Sequence, residues 1–434
     1  MRYEPISNSL FTKNRKRFCK ELASGSLCLI NSNDEFPKSG DQTFLFHQNA
    51  DLFYLTGINQ EETFLVLFPD AELKTQTEML FIRETNEHIA VWEGEKLTKE
   101  LASQVSGIPE SQIHWHHELE GILHTLVHYA DYIYLNTNEN DRYVPKIMYK
   151  DLRFIESFRE KYPLHALKRA APIFRKLREI KSQEEIDLLS QACKITQKAF
   201  ARTLGFIHPG VWEFEIEAEI THEFIRNRAD GHAYSPILAS GANACVLHYN
   251  TNHQQCQDGD LILMDFGASY AHYNADLTRT VPVNGRFTKR QKEVYESVHT
   301  IFNEARALLK PGMKLAEYRT ETEKLALVEL RKLGLISKEE AKNKVEKSNW
   351  RKYYPHGISH YLGLDVHDLG DRFEKMKPGM VFTCEPGIYI REEGIGIRLE
   401  NDIVITENGN HDLMQNIPME WQEIEELMNK KPKK

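Results

Sequence analysis

What the chain lacks narrows its function first. None of its 434 residues lies in a run approaching the ~20 apolar residues that span a bilayer. Residues 1–20 are polar and basic, without the apolar core of a secretory signal. The six cysteines, Cys19, Cys28, Cys193, Cys245, Cys256 and Cys384, form no C-x-x-C pair and no regular framework. That spacing argues against a disulfide scaffold and leads us to expect free thiols in a reducing, cytoplasmic setting. Positive charge is also in deficit: 55 Lys and Arg face 64 Asp and Glu, for a net charge of −9. A nucleic-acid binder usually shows a basic face, so neither nucleic acid nor membrane is an expected partner.

What is present is an ordinary globular composition, 41% hydrophobic and 27% charged, in a chain long enough for two or three domains. The segments TFLFHQ, DLFYLTG, TFLVLFP, EMLFIRE and DYIYLN read as strands, and polar stretches such as residues 96–106 read as helix. This alternation predicts a mixed α/β N-terminal domain over residues 1–172. Residues 151–178 turn basic and helical, punctuated by Pro163 and Pro172, and a second domain is expected over 173–434. Its first long helix should start at Ser182, with Glu185 three residues on as the partner in a capping box.

The second domain contains a faint internal repeat. Pro209–Gly210 and Pro311–Gly312 lie 102 residues apart, and each precedes a helical stretch of similar length. Each half then reaches a histidine-bearing segment and a hairpin-like pair of strands, LILMDFGASYAHYNADLTRTV and MVFTCEPGIYIREEGIGIRLENDIVIT. The expected architecture is two related halves about a pseudo-twofold axis, with a curved sheet inside and helices outside.

Each expected hairpin carries an acid on each strand: Asp265 and Asp276 in the first, Glu385 and Glu400 in the second. All four sit among apolar or β-branched neighbours, where an unpaired carboxylate is costly. Arg279 or Arg398 could neutralise any one of them in a buried ion pair. A pair of divalent cations accounts better for all four together, because carboxylates can bridge two metals ~3.5–4 Å apart. The segment HGISHYLGLDVHD adds His356, His360 and His367, with Leu362, Leu364 and Val366 alternating as in a strand. A lone histidine there would be an ordinary core residue, but three within twelve residues point to a site. Oxygen ligands with one imidazole suit Mn, Fe, Co or Zn.

These segments resemble the metallopeptidase family that includes methionine aminopeptidase, Xaa-Pro aminopeptidase and Xaa-Pro dipeptidase, which share the pita-bread fold. The likeness is to the Xaa-Pro aminopeptidases, and it runs along nearly the whole chain. The resemblance implies an α+β fold: a pita-bread catalytic domain after an aminopeptidase-P-like N-terminal domain. It also implies five metal ligands, Asp265, Asp276, His360, Glu385 and Glu400, holding two divalent ions, with Mn2+ expected and Zn2+, Co2+ or Fe2+ as alternatives. Asp276 and Glu400 would bridge the ions. From VLHYN, HGISH and LDVHD it carries over His248, His356 and His367 as proline-peptidase histidines. QNADLFYLTGINQEETFLVL resembles the N-domain signature, departing from it over residues 60–63.

The reaction so implied is hydrolysis of an N-terminal Xaa-Pro bond by a metal-activated water, the substrates being peptides with proline second. Glu385 is the expected general base and the donor to the departing proline nitrogen. His248 or His367 would polarise the carbonyl. His356 and Arg398 would line the primed side, although Arg398 could equally serve to pair with a ligand carboxylate. The alternatives are an Xaa-Pro dipeptidase and a metal-free binding protein on the same fold. Serine before His360 favours the aminopeptidase over the dipeptidase. A homodimer or homotetramer is expected from the resemblance, with Trp92 either reaching a neighbouring substrate channel or filling the core.

Overall fold

The computed structural model describes residues 2–339 and 349–430. It divides into two compact units, residues 4–177, and residues 178–434 with residues 1–3. The first holds a six-stranded mixed sheet of β1 (Ser26–Asn31), β2 (Phe64–Leu67), β3 (Glu78–Ile82), β4 (Ile113–Trp115), β5 (Tyr132–Leu135) and β6 (Ala166–Arg169). The order is β4-β3-β2-β1-β5-β6, with β1–β2 and β2–β3 antiparallel and the other pairs parallel. The central strands are buried along their whole length, so they read as continuous apolar runs. Leu27, Leu29, Val66, Phe81 and Ile133 share one core cluster with helix residues Leu123, Leu126 and Phe158.

Two of the expected strands are absent. DLFYLTG is a helix, Ala50–Thr56: the Asn49 side chain accepts from the N–H groups of Asp51 and Leu52, and Gly57 closes the helix at φ 68°. Residues 51–56 are all buried, and a short apolar run buried on every side gives no period by which strand and helix differ. Of TFLFHQ only Thr43 lies in a strand, the two-residue Gln42–Thr43, while Phe44 and Leu45 are exposed. Trp92, on helix Glu87–Glu93, is 76% exposed and so is not a core residue of this chain.

This unit buries an acid with no catalytic assignment. Asp151, in the first turn of helix Lys150–Lys161, accepts from Asn31 Nδ2 at 2.9 Å. Burial, reinforced by Asp51, raises its pKa to about 7. The folded state therefore holds this proton where the unfolded chain, with a pKa near 3.8, has released it. Stability from this group is full below the unfolded value and falls as pH rises towards 7, by about 4 kcal/mol at most. An Asp151→Asn variant should match the wild type near pH 4 and be the more stable near pH 8. Urea midpoints at the two pH values test this; a difference independent of pH would contradict it.

In the second unit Ser182 Oγ accepts from the Glu185 N–H, and Glu185 Oε2 accepts from the Ser182 N–H, which is the expected capping box. Helix Gln183–Leu204 follows it, and helices Glu213–Arg226 and Leu315–Lys332 follow the two Pro-Gly turns. Gly210 and Gly312 take matching left-handed conformations, φ 94° and 87°, which favour glycine at both repeat positions. The strands that frame the acids are β7 (Ile237–Ser240), β8 (Leu261–Asp265), β9 (Thr278–Pro282), β10 (Val381–Cys384), β11 (Gly387–Ile390), β12 (Ile395–Arg398), β13 (Asn401–Thr406) and β14 (Gly409–Asp412). They form sheets β7-β8-β9, β10-β13-β14 and β11-β12. A bridge between Thr278 and Glu400 joins the two halves of the repeat.

Two details differ from expectation. The long hairpin strands are broken near the acids, so that Asp265 ends β8 while Asp276, Glu385 and Glu400 lie just outside β9, β10 and β13. The alternating segment after His360 is not a strand either; it makes a single bridge, Tyr361 to Phe382. Beyond that bridge the chain turns at Gly363, where the backbone bonds to Asn274 instead of continuing along β10.

Candidate metal centre

The strand ends bring the acids together. β8 and β9 are antiparallel with Asp265 opposite Thr278, and β10 and β13 place Cys384 opposite Asn401. The register of the second pair leaves Glu385 and Glu400 as next neighbours. Between Asp265 and Asp276 the chain doubles back so closely that a Cβ on Gly267 would lie 1.7 Å from the Ala275 carbonyl oxygen. His360 is set by β10: its N–H donates to Thr383 Oγ1 at 3.1 Å, and the Thr383 N–H returns a bond to its carbonyl at 3.0 Å.

Donor atoms of Asp276, His360 and Glu400 all lie within 4.8 Å of one another. His360 Nε2 is 3.4 Å from Asp276 Oδ2 and 3.7 Å from Glu385 Oε1. Its Nδ1 is 2.9 Å from the Tyr361 carbonyl oxygen. A carbonyl can only accept, so Nδ1 carries the proton and the Nε2 lone pair faces the acids. The Tyr234 hydroxyl lies between Asp265 Oδ1 and Asp276 Oδ1, at 2.6 and 2.5 Å. Thr278 Oγ1 donates to Glu400 Oε2 at 2.6 Å, and Asp402 accepts the Asp276 N–H at 3.0 Å.

Arginine is paired with only one of the four acids. Arg279 is fully buried, but its guanidinium donates to the carbonyls of Thr278, Glu400, Ile417 and Pro418 and to Asn401 Oδ1. Arg398 pairs with Asp265 alone among the four acids. Burial therefore raises the pKa of Asp265 and, with its acidic neighbours, pushes Glu400 well above the carboxylate range. Burial, then Asp276 and Asp265, lifts Glu385 to about 7. On His360, burial opposes a charge, but Asp276 and Glu385 outweigh it and raise the pKa. A set of carboxylates with one oriented imidazole, short of positive charge, has the chemistry of a divalent-cation site. The residues present fit the metal pair.

Around this cluster stand the other candidates. His356 Nδ1 donates to the Gly357 carbonyl at 2.8 Å, and its Nε2 accepts from the Tyr389 hydroxyl at 2.7 Å. Arg398 Nη1 donates to the same hydroxyl oxygen at 2.8 Å. Burial, then Arg398, lowers the His356 pKa to about 4, so this imidazole is neutral at pH 7. It lies 3.7 Å from Glu385. The exposed His367 meets the His360 ring edge-to-face, with centroids 4.4 Å apart. His248 is exposed, and its charge is felt at His356. Beside Tyr389 opens a cavity of about 360 Å³, whose lining includes Cys245, Lys352, Pro355 and Arg391.

Tyr389 and Tyr234 were not foreseen. Tyr389 had a signal: it is four residues after Glu385 in EPGIY, at even spacing along a strand. Tyr234 had none, because the acids it touches are 31 and 42 residues away.

The profile of metallopeptidase family M24 matches residues 187–407, and that of the aminopeptidase P N-terminal domain matches residues 11–134. The chain belongs to metallopeptidase family M24. Among M24 relatives, the Xaa-Pro aminopeptidase of Escherichia coli K12 is 35% identical over 98% of both chains. The human Xaa-Pro aminopeptidase 3 is 31% identical, over 92% of this chain and 80% of its own length. A solved M24 structure, Zn-substituted E. coli aminopeptidase P in complex with product, superposes with a TM-score of 0.89 at 34% identity, covering 98% of this chain and 99% of that one. The M24 catalytic domain and the aminopeptidase P N-terminal domain account for the architecture described above.

Proposed function

We propose that this chain is an Xaa-Pro aminopeptidase, which hydrolyses the bond between a peptide's first residue and a following proline. The observation that carries the reading is the convergence of Asp265, Asp276, His360, Glu385 and Glu400 with three further histidines and Arg398. When bound, two divalent cations held by those five residues would supply Lewis-acid polarisation of the water and the scissile carbonyl. Mn2+ is the proposed native pair. Glu385 takes the proton of the attacking water and delivers it to the proline nitrogen as that bond breaks. An amide nitrogen leaves only as a neutral amine, so this delivered proton lets the proline depart as a secondary amine.

The side chains around Glu385 divide the remaining work. His367, against His360, or the exposed His248 donates to the carbonyl oxygen as it gains charge. Arg398 holds the Tyr389 hydroxyl, which holds neutral His356, and this chain forms a wall on the primed side. We place the catalytic domain at 173–434, and assign residues 1–172 to assembly as a dimer or tetramer. Among the described residues no helix is long and apolar enough to cross a membrane. The six free cysteines, five of them buried, suit a reducing cytoplasm.

Ser359, immediately before His360, favours an aminopeptidase over a dipeptidase. Manganese-loaded protein should release the first residue of Arg-Pro-Pro-Gly and stop there. Release from Gly-Pro alone would make it a dipeptidase. Release from neither, with metal bound, would remove the proline assignment.

A further inference from the structure

His367 is exposed and sits on an irregular loop, yet the role given to it requires a fixed ring over His360. We propose that Asp368, clamped by Arg178 and Lys181, is a positioning device that holds His367 at the metal centre. The inference rests on the aminopeptidase reading of the site.

The loop is closed at its base: the Asp368 N–H donates to the Tyr361 carbonyl at 3.0 Å, and the Gly363 N–H donates to the Asp365 carbonyl at 3.1 Å. A second anchor comes from Asn274, whose backbone and side chain donate to Gly363 and whose side chain also reaches the Leu364 carbonyl. The first of these bonds holds one side of the peptide that follows residue 367. The Asp368 carboxylate lies next to it in sequence, and three donors hold it: Arg178 Nη2 at 2.5 Å, Lys181 Nζ at 3.0 Å and the Leu369 N–H at 2.9 Å. All three charged side chains are at most 3% exposed, so water does not loosen the cluster. Gly363 is part of the fit, because a Cβ there would stand 2.0 Å from Asp368 Oδ2.

Stability alone does not call for this arrangement. Buried ion pairs are weak contributors to net stability, and apolar replacements often match them. What they do supply is a unique geometry. Charge-assisted bonds from two directions leave Asp368 one position, and the peptide bond passes that constraint to His367. The cations arrive through residues 178–181, whose own backbone is tied down where the Lys181 N–H donates to the Gly379 carbonyl at 2.9 Å.

The experiment is a double-mutant cycle on manganese-loaded protein, with kcat, KM, bound metal and Tm measured for each variant. Asp368→Asn should lower kcat on the order of 10–100-fold, as small misplacements of a reacting group do. KM and metal content should stay near wild type. In a His367→Ala background the same change should alter kcat less than about twofold, because the group it positions is gone. An equal loss of kcat in both backgrounds, or wild-type kcat in Asp368→Asn, would overturn the proposal. Wild-type kcat in His367→Ala alone would remove the role of His367 and the proposal with it. Absence of prolyl cleavage by the wild type would instead overturn the aminopeptidase reading.

Asp368→Asn leaves Lys181 facing a neutral amide, while Arg178 keeps Asp365 at 2.7 Å, so Arg178→Gln serves as a second variant. It keeps a one-to-one pair of Lys181 and Asp368 and should show the same dependence on His367. Failure of both variants to fold would assign the cluster to stability and overturn the positioning role.

Discussion

Glu385→Gln should reduce kcat on the order of 10²–10⁴-fold while leaving the fold and much of the bound metal in place. The amide has nearly the shape of the carboxylate and keeps one oxygen for coordination, but it cannot accept a proton. Glu385 is the acid placed to lose one and regain it, because it lies within 4 Å of both His356 and His360. Asp276 and Glu400 are committed instead to Tyr234, His360 and Thr278. Single-turnover kinetics with Arg-Pro-Pro-Gly, alongside metal analysis, would separate chemistry from coordination. Near-normal turnover would remove Glu385 from its role as base. Loss of both metals with turnover would make it a structural ligand.

Asp276→Asn should have the second-largest effect, and with opposite signs in the two forms of the protein. Asp276 faces His360, and its charge helps raise the pKa of Asp265, Glu385 and Glu400. Neutralising it relieves repulsion in the metal-free protein, which should melt at a higher temperature than metal-free wild type. The same change removes a charged oxygen donor, so metal affinity should fall on the order of 100-fold or more. Melting curves with and without Mn2+ read both effects: a higher metal-free Tm and a smaller rise on adding metal. A variant that holds two ions at wild-type affinity would contradict the bridging assignment.

How much of this was legible in the sequence depended on the range of the forces. The Ser182 capping box was readable because both partners lie within one helical turn. The repeat was readable because each Pro-Gly turn states its own backbone requirement. The four acids stood out because carboxylates are unexpected among apolar neighbours. The segment DLFYLTG is ambiguous for the reverse reason: burial on all sides erases the period that separates strand from helix, and only the cap at Asn49 marks the helix. The run after His360 alternates like a strand, yet its backbone bonds go to Asn274 and Asp365, one of them 89 positions away.

By itself, then, the sequence determined the chemical vocabulary: five oxygen and imidazole donors in order, three more histidines, two related halves and a separate N-terminal α/β unit. Local rules suffice for these, because residue type and short spacing carry them. Tertiary structure alone decided who neutralises whom. Arg279 turned out to be spent on backbone carbonyls, Arg398 to pair with Asp265, and Tyr234, Tyr389 and Asp368 to bond with groups far from them in the chain. Charge and hydrogen-bond pairing act over a few ångströms of space. Which residues come that close is settled only when the strands take their register and the two halves meet at Thr278 and Glu400.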